Sequence, residues 1–285
     1  NNRGQRASPD DVYKPDKYTV VVLGDSFTFG AEATDAEVWP TILQSMDDRM
    51  HVVNLAASGY GIDQMFITCR ETIDEYKPQL VILAFTTADL PRAMIGFREA
   101  PKPRFVLSKD GSLLLTNVPI GTRVETYAQL KQKYNFLHPL LFQLGEIWRQ
   151  VHAEDPAIRK RQTESLNARL LKETARCAQE HQAEILLTHL ASAPQTVDPN
   201  APDDGEQVLR RAVLGKPYPY LMTRKAFLDT HVQWTPRHYR GEEAQVVARA
   251  VLERLRALDS WKVYESRHPL PGVSPRPPPD QNGGK

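Results

Sequence analysis

A serine stands directly behind a β-branched run: Gly24-Asp25-Ser26-Phe27-Thr28 follows Tyr18-Thr19-Val20-Val21-Val22-Leu23. The run predicts a buried strand. In an open parallel sheet the reacting groups gather beyond the carboxyl ends of the strands, where loops leave backbone N–H groups free to meet a substrate. Ser26 is therefore a candidate nucleophile, whose hydroxyl needs a base to accept its proton. The tripeptide by itself also describes a polar loop that ends a strand. Two more predicted strands run into loops of unusual composition, Asn54-Leu55-Ala56-Ala57-Ser58-Gly59-Tyr60-Gly61 and Thr86-Thr87-Ala88-Asp89.

The elements that must position these loops are legible in the periodicity. Helical spacing over Glu37 to Met46 is followed by a strand at His51 to Leu55, a helix over Asp63 to Tyr76 and the apolar run Leu80 to Phe85. Strands alternating with helices in this way imply right-handed crossovers and a parallel sheet with helices on both faces, an α/β fold. From about 90 to 147 the periodicity lapses among Pro101, Pro103, Pro119 and Pro139, which reads as an insertion or cap after the third strand. A helix over about 156–182, a strand at Ala183 to His189 and a polar loop to about Tyr220 come next. Thr235-Pro236 reads as the N-cap and first residue of a last helix running through Val246, Val247, Val251, Leu252 and Leu255. One domain over 1–262 is expected, with a proline-rich tail over 263–285.

Composition narrows the function classes. The chain has 285 residues, 41% of them hydrophobic, and 36 Lys+Arg balance 35 Asp+Glu for a net charge of +1. No broad basic field is available for a polyanion, so nucleic acid is not an expected partner. No apolar stretch reaches the roughly 18 residues that span a bilayer. The opening Asn1-Asn2-Arg3-Gly4 reads as the interior of a longer sequence, which leaves room for an export signal or membrane tether upstream. Cys69 and Cys177 lack zinc-site spacing and read as two buried free thiols. His51, His138, His152, His181 and His268 show no local pairing that argues for a metal.

Taken together, the three strand-end loops and Asp229-Thr230-His231 resemble the SGNH (GDSL-type) serine hydrolases. The resemblance runs from about Asn1 to Leu258 with the insertion excepted. It is closest over Val20 to Gln64, where Gly24 to Gly30, Trp39-Pro40 and Asn54 to Gln64 look like the bacterial, usually exported branch. It implies a flavodoxin-like three-layer α/β/α fold, no cofactor, and an ester substrate on a small molecule, lipid or carbohydrate. It assigns the nucleophile to Ser26, the base to His231, the orienting acid to Asp229, and the oxyanion donors to the N–H groups of Ser26 and Gly59 plus a third-block asparagine amide. Imidazole and carboxylate suit those roles, because the carboxylate fixes the tautomer and stabilises the imidazolium that forms. Glycine at 59 allows close backbone approach to a substrate.

Two departures from the family pattern bear on activity. The third-block asparagine is replaced by Ala88, which cannot donate, so Thr86, Thr87 or a water is the expected substitute. Val232-Gln233 separate His231 from Trp234-Thr235-Pro236, and three registrations stay open. Either the pair bulges and His231 is the base, or His238 is the base, or Gln233 takes the base position and the site is dead. His189 reads as a histidine bonded to backbone, Asp25 and Asp89 as acceptors for loop N–H groups, Asn54 and Asp63 as braces of the second loop, and Trp39 as a core anchor. Three readings follow: a serine esterase working through an acyl-Ser26 intermediate, an O-acyltransferase that passes the acyl group to a polysaccharide, and a non-catalytic binding protein motivated by Ala88.

Overall fold

The computed structural model describes residues 1, 4–6, 14–96, 101–122, 124–125, 155–192, 198, 200, 203–232 and 237–269. Five parallel strands form the central sheet: β1 (Tyr18–Gly24), β2 (Met50–Asn54), β3 (Leu80–Phe85), β6 (Glu184–His189) and β7 (Tyr220–Met222), in the spatial order β2-β1-β3-β6-β7. The sheet is covered on both faces, so successive residues of each strand serve different cores. Val21, Leu23, Val81, Leu83, Ile185 and Leu187 pack toward α3 (Ile62–Tyr76), α5 (Pro156–Glu180) and α6 (Asp204–Val213). Val20, Val22, Leu80, Ile82, Ala84 and Leu186 pack toward α2 (Trp39–Ser45), α8 (Glu242–Arg256) and α9 (Asp259–Arg267). The result is the expected three-layer α/β/α architecture.

Two short helices complete the loop edge, α1 (Ser26–Phe29) after β1 and α4 (Asp89–Arg92) after β3, and α7 (Arg224–Thr230) follows β7. Register sets that edge: Val22 pairs with Asn54, Gly24 with Ala84, Phe85 with His189 and His189 with Met222. The strands thus end nearly level, and their outgoing loops meet on one rim.

Some boundaries differ from the sequence reading. The insertion carries an antiparallel hairpin, β4 (Arg104–Leu107) with β5 (Leu113–Thr116), whose Phe105 packs on Phe66 of α3 at a ring distance of 5.5 Å. Helix α8 begins at Glu242 behind Gly241 rather than at Pro236, and the expected cap Thr235-Pro236, like Gln233 and Trp234, lies outside the described residues. Helix α9 runs past residue 262 to Arg267, with Trp261 fully buried and edge-on to Tyr18 at 5.0 Å and Tyr264 packed against the same Tyr18 ring at 5.4 Å. Most of the proline-rich tail lies outside the described residues. Trp39 is a buried core residue. No described helix is long and apolar enough to cross a membrane.

Candidate active site

Ser26 is the first residue of α1, and its N-cap Asp25 accepts the Phe27 N–H at 2.9 Å. Its own N–H meets no acceptor among the described residues. The helix lasts one turn because Gly30 adopts a left-handed conformation (φ 76°), where a Cβ would collide with the Val38 side chain. The chain therefore turns sharply and brings Glu32 back toward the serine.

The ring that meets Ser26 belongs to His238. Its Nε2 lies 2.8 Å from Ser26 Oγ, and its Nδ1 lies 3.0 Å from a Glu32 carboxylate oxygen. Packing puts it there. Tyr239 is buried, its hydroxyl bonds to the Ala191 carbonyl just past β6, and its ring packs on Phe27 and Phe227. The neighbouring His238 ring lies 4.9 Å from the Phe27 ring, so the residue after the serine seats the imidazole. The His238 hydrogen bond, with Arg240 at 3.3 Å, holds the Glu32 carboxyl below the usual carboxylate range. With the carboxylate accepting from Nδ1–H, Nε2 is left to accept from the serine hydroxyl.

The first registration of the sequence reading is thereby corrected. His231 is exposed, stands in a left-handed conformation at the C-terminal end of α7, and makes no hydrogen bond to Ser26. Asp229 is also on the surface, paired with Lys225 one helical turn earlier. Residues 224–230 form a helix, so Asp229 and Thr230 lie in its last turn and His231 is its C-cap, all three exposed. Glu32 was missed altogether. Its only sequence signal is a carboxylate six residues beyond the serine, behind a helix-ending glycine.

The second loop carries Gly59 at φ 83°, in a turn closed by Tyr60 N–H to the Ala57 carbonyl at 3.2 Å. Asn54 braces this loop by accepting from Ala56 N–H and donating to the Thr28 carbonyl. Asp63 braces it less directly, since its carboxylate pairs with buried Lys102 of the insertion.

The third loop is held by two buried clusters. Arg92 of α4 bonds both Asp25 (3.0 Å) and Asp89, and Asp89 accepts the Thr86 N–H at 2.8 Å. Burial, together with Asp25 beside it, pushes the Asp89 carboxyl well above its ordinary range against the pull of Arg92. On the other side, the Thr87 hydroxyl donates to Asp203, the N-cap of α6, and lies 3.1 Å from His189 Nε2. His189 thus bonds a side chain rather than backbone. Burial drives its imidazole down to about 4, despite Asp203 nearby and with Arg224 adding to the effect. Gly205 passes so close that a Cβ would sit 2.4 Å from His189 Nε2. The Thr87 proton is committed to this cluster, so Thr87 is not the free oxyanion donor that the sequence reading allowed. Ala88 is exposed.

His189, Asp203 and Glu206 also gather their ligand atoms within 4.8 Å of one another. Arg224 already lies there, 2.9 Å from Glu206 and 3.7 Å from Asp203, and fills the place a cation would take.

No protein-family model and no curated protein matches the sequence. Solved structures do. A member of the lipolytic protein G-D-S-L family from Veillonella parvula DSM 2008 superposes with a TM-score of 0.50 at 10% identity, covering 84% of this chain and 99% of that one. TesA gives 0.49 at 14% identity over 84% and 98% of the two chains. A catalytic mutant of Axe2, an acetylxylan esterase from Geobacillus stearothermophilus, gives 0.48 at 12% over 84% and 94%. The first of these likenesses establishes the fold, which is that of the SGNH (GDSL-type) hydrolases.

Proposed function

We propose that the protein is a serine esterase of the SGNH type, in which Ser26 is the nucleophile, His238 the general base and acid, and Glu32 the group that orients His238. One observation carries the reading: a single imidazole is hydrogen-bonded to the Ser26 hydroxyl through one nitrogen and to a carboxylate through the other. Ser26 Oγ attacks the acyl carbonyl while His238 Nε2 takes its proton, and the protonated ring then delivers that proton to the departing alcohol. Water, deprotonated by the same ring, releases the acyl group and restores Ser26. The N–H groups of Ser26 and Gly59 serve the oxyanion. With Ala88 in place of an amide and Thr87 engaged elsewhere, this hole has one donor fewer than the family pattern, and turnover is correspondingly low.

The substrate class is an ester on a small molecule or carbohydrate; an exported location rests on the resemblance of the first two sequence blocks alone. Treating the folded protein with a fluorophosphonate and with a short-chain aryl acetate tests the proposal. Phosphonylation of Ser26 and turnover abolished by Ser26→Ala are the expected results. A folded protein that neither labels nor turns over would instead be a binding protein. Acyl transfer to added oligosaccharide in preference to water would make it a transferase.

A further inference from the structure

Cys69 and Cys177 stand 108 residues apart in sequence, yet their sulfurs lie 3.5 Å apart in the layer between α3 and α5. Both are free thiols in this structure. Two surroundings distinguish them. Cys69 is 1% exposed inside the core, whereas Cys177 is 6% exposed and lines a groove of about 500 Å³ with Phe66, Arg70, Arg169 and His181. The backbones that carry them are held in register nearby, because His181 at the end of α5 reaches Asp74 of α3 at 3.3 Å and its Nδ1 bonds the Cys177 carbonyl at 2.8 Å. Sulfurs in van der Waals contact on two fixed helices need only small side-chain rotations to bond.

We propose that Cys69 and Cys177 form a reversible disulfide that cross-links α3 to α5, with Cys177 as the attacking thiol and Cys69 as the resolving one. The oxidant is a small or protein-borne disulfide. The Cys177 thiolate attacks one of its sulfurs, the oxidant's S–S bond breaks, and one thiol leaves with a proton. Cys69 then loses its proton and attacks the Cys177 sulfur, expelling the second thiol. Two protein thiols are oxidised and one external disulfide is reduced, so electrons and protons balance. The roles follow from access: the reagent reaches Cys177 from the groove, whereas Cys69 is reached only through Cys177. The hydrogen bond from Cys69, with His181 and Arg70 nearby, lowers the Cys177 thiol to about 7, and the same bond and burial raise Cys69. The cross-link closes a loop that contains β3, Ala88 and the β4-β5 hairpin, and a loop that long gives a large entropic stabilisation of the fold.

The test is incubation of the purified chain with oxidised glutathione, followed by intact-mass and peptide analysis. Wild type is expected to lose two hydrogens, yield a Cys69–Cys177 linked peptide, keep no glutathione and gain about 5 °C or more in Tm, all reversed by dithiothreitol. Cys69→Ser is expected to retain one glutathione on Cys177, and Cys177→Ser none. Wild type that keeps both thiols, or that stops at a glutathione adduct, overturns the proposal; this readout needs no variant to fold.

Discussion

His238 Nε2 lies 2.8 Å from Ser26 Oγ across 212 residues of sequence, while His231, seven residues nearer in the chain, faces solvent at a helix end. What brings His238 in is an aromatic wedge, Phe27 under the imidazole and Tyr239 beneath Phe27. Neighbours of both residues build the contact, so the proposed nucleophile and its proposed base are positioned by one packing event.

In the proposed mechanism Glu32 is the orienting carboxylate, and Glu32→Gln keeps an acceptor for Nδ1–H while removing the charge that stabilises the imidazolium. Loss of that charge in a buried triad costs up to about 10⁴-fold, but Glu32 is 42% exposed and water takes over part of its role. A fall in kcat of about 10²-fold, with Tm unchanged, is expected from ester-hydrolysis kinetics alongside a melting curve. Unchanged kcat would assign Glu32 to the surface.

Arg6 holds the loop that presents Glu32. Its guanidinium bonds the Gly30 and Ala33 carbonyls, pairs with Asp35 at 2.9 Å and lies over the Phe29 ring. Arg6→Ala is expected to lower kcat about 10-fold and to add almost nothing in the Glu32→Gln background, since residues acting through one contact are non-additive. Full additivity in the double variant would mean that Arg6 acts elsewhere.

Ala88 is exposed at the start of α4, on the rim beside Asp89 and Thr87. An amide placed there has room to reach a developing oxyanion, so Ala88→Asn is expected to raise kcat by about 10-fold or more without a matching change in KM. Steady-state kinetics on an aryl acetate measure it, and no gain would show that another donor already fills the hole.

His189 makes the fold acid-sensitive. Its imidazole is held near 4 in the folded chain against an ordinary 6.5, so between those values the unfolded chain binds more protons than the folded one. Stability from this group is complete above about 6.5 and is lost as pH falls toward 4, an effect of about 2–4 kcal/mol. His189→Gln is expected to flatten the rise of Tm with pH across that window, as read by calorimetry. An undiminished slope would place the acid-sensitive group elsewhere.

The core of the fold was plain in the sequence because the β-branched runs, the helical spacings and the turn signals agree with one another over 18–85 and 183–189. The place of Ser26 just beyond β1 was legible for the same reason: it depends on local pattern at one strand end. The partner histidine was legible only as one of three registrations, His238 among them, because Asp229-Thr230-His231 matches a motif in type and spacing, whereas its place at the end of α7 depends on packing that no local pattern records. Glu32 was hidden by the same limit, as its role exists only once Gly30 has turned the chain and Tyr239 has seated His238. The engagement of Thr87 by Asp203 joins residues 116 apart and was beyond any reading of the third loop alone.

The most direct measurement compares kcat/KM for a short-chain aryl ester in wild type, His238→Ala and His231→Ala. The account predicts a loss of about 10³-fold or more for His238→Ala and a change within about 2-fold for His231→Ala. Retained activity in the first variant with a collapse in the second would contradict it.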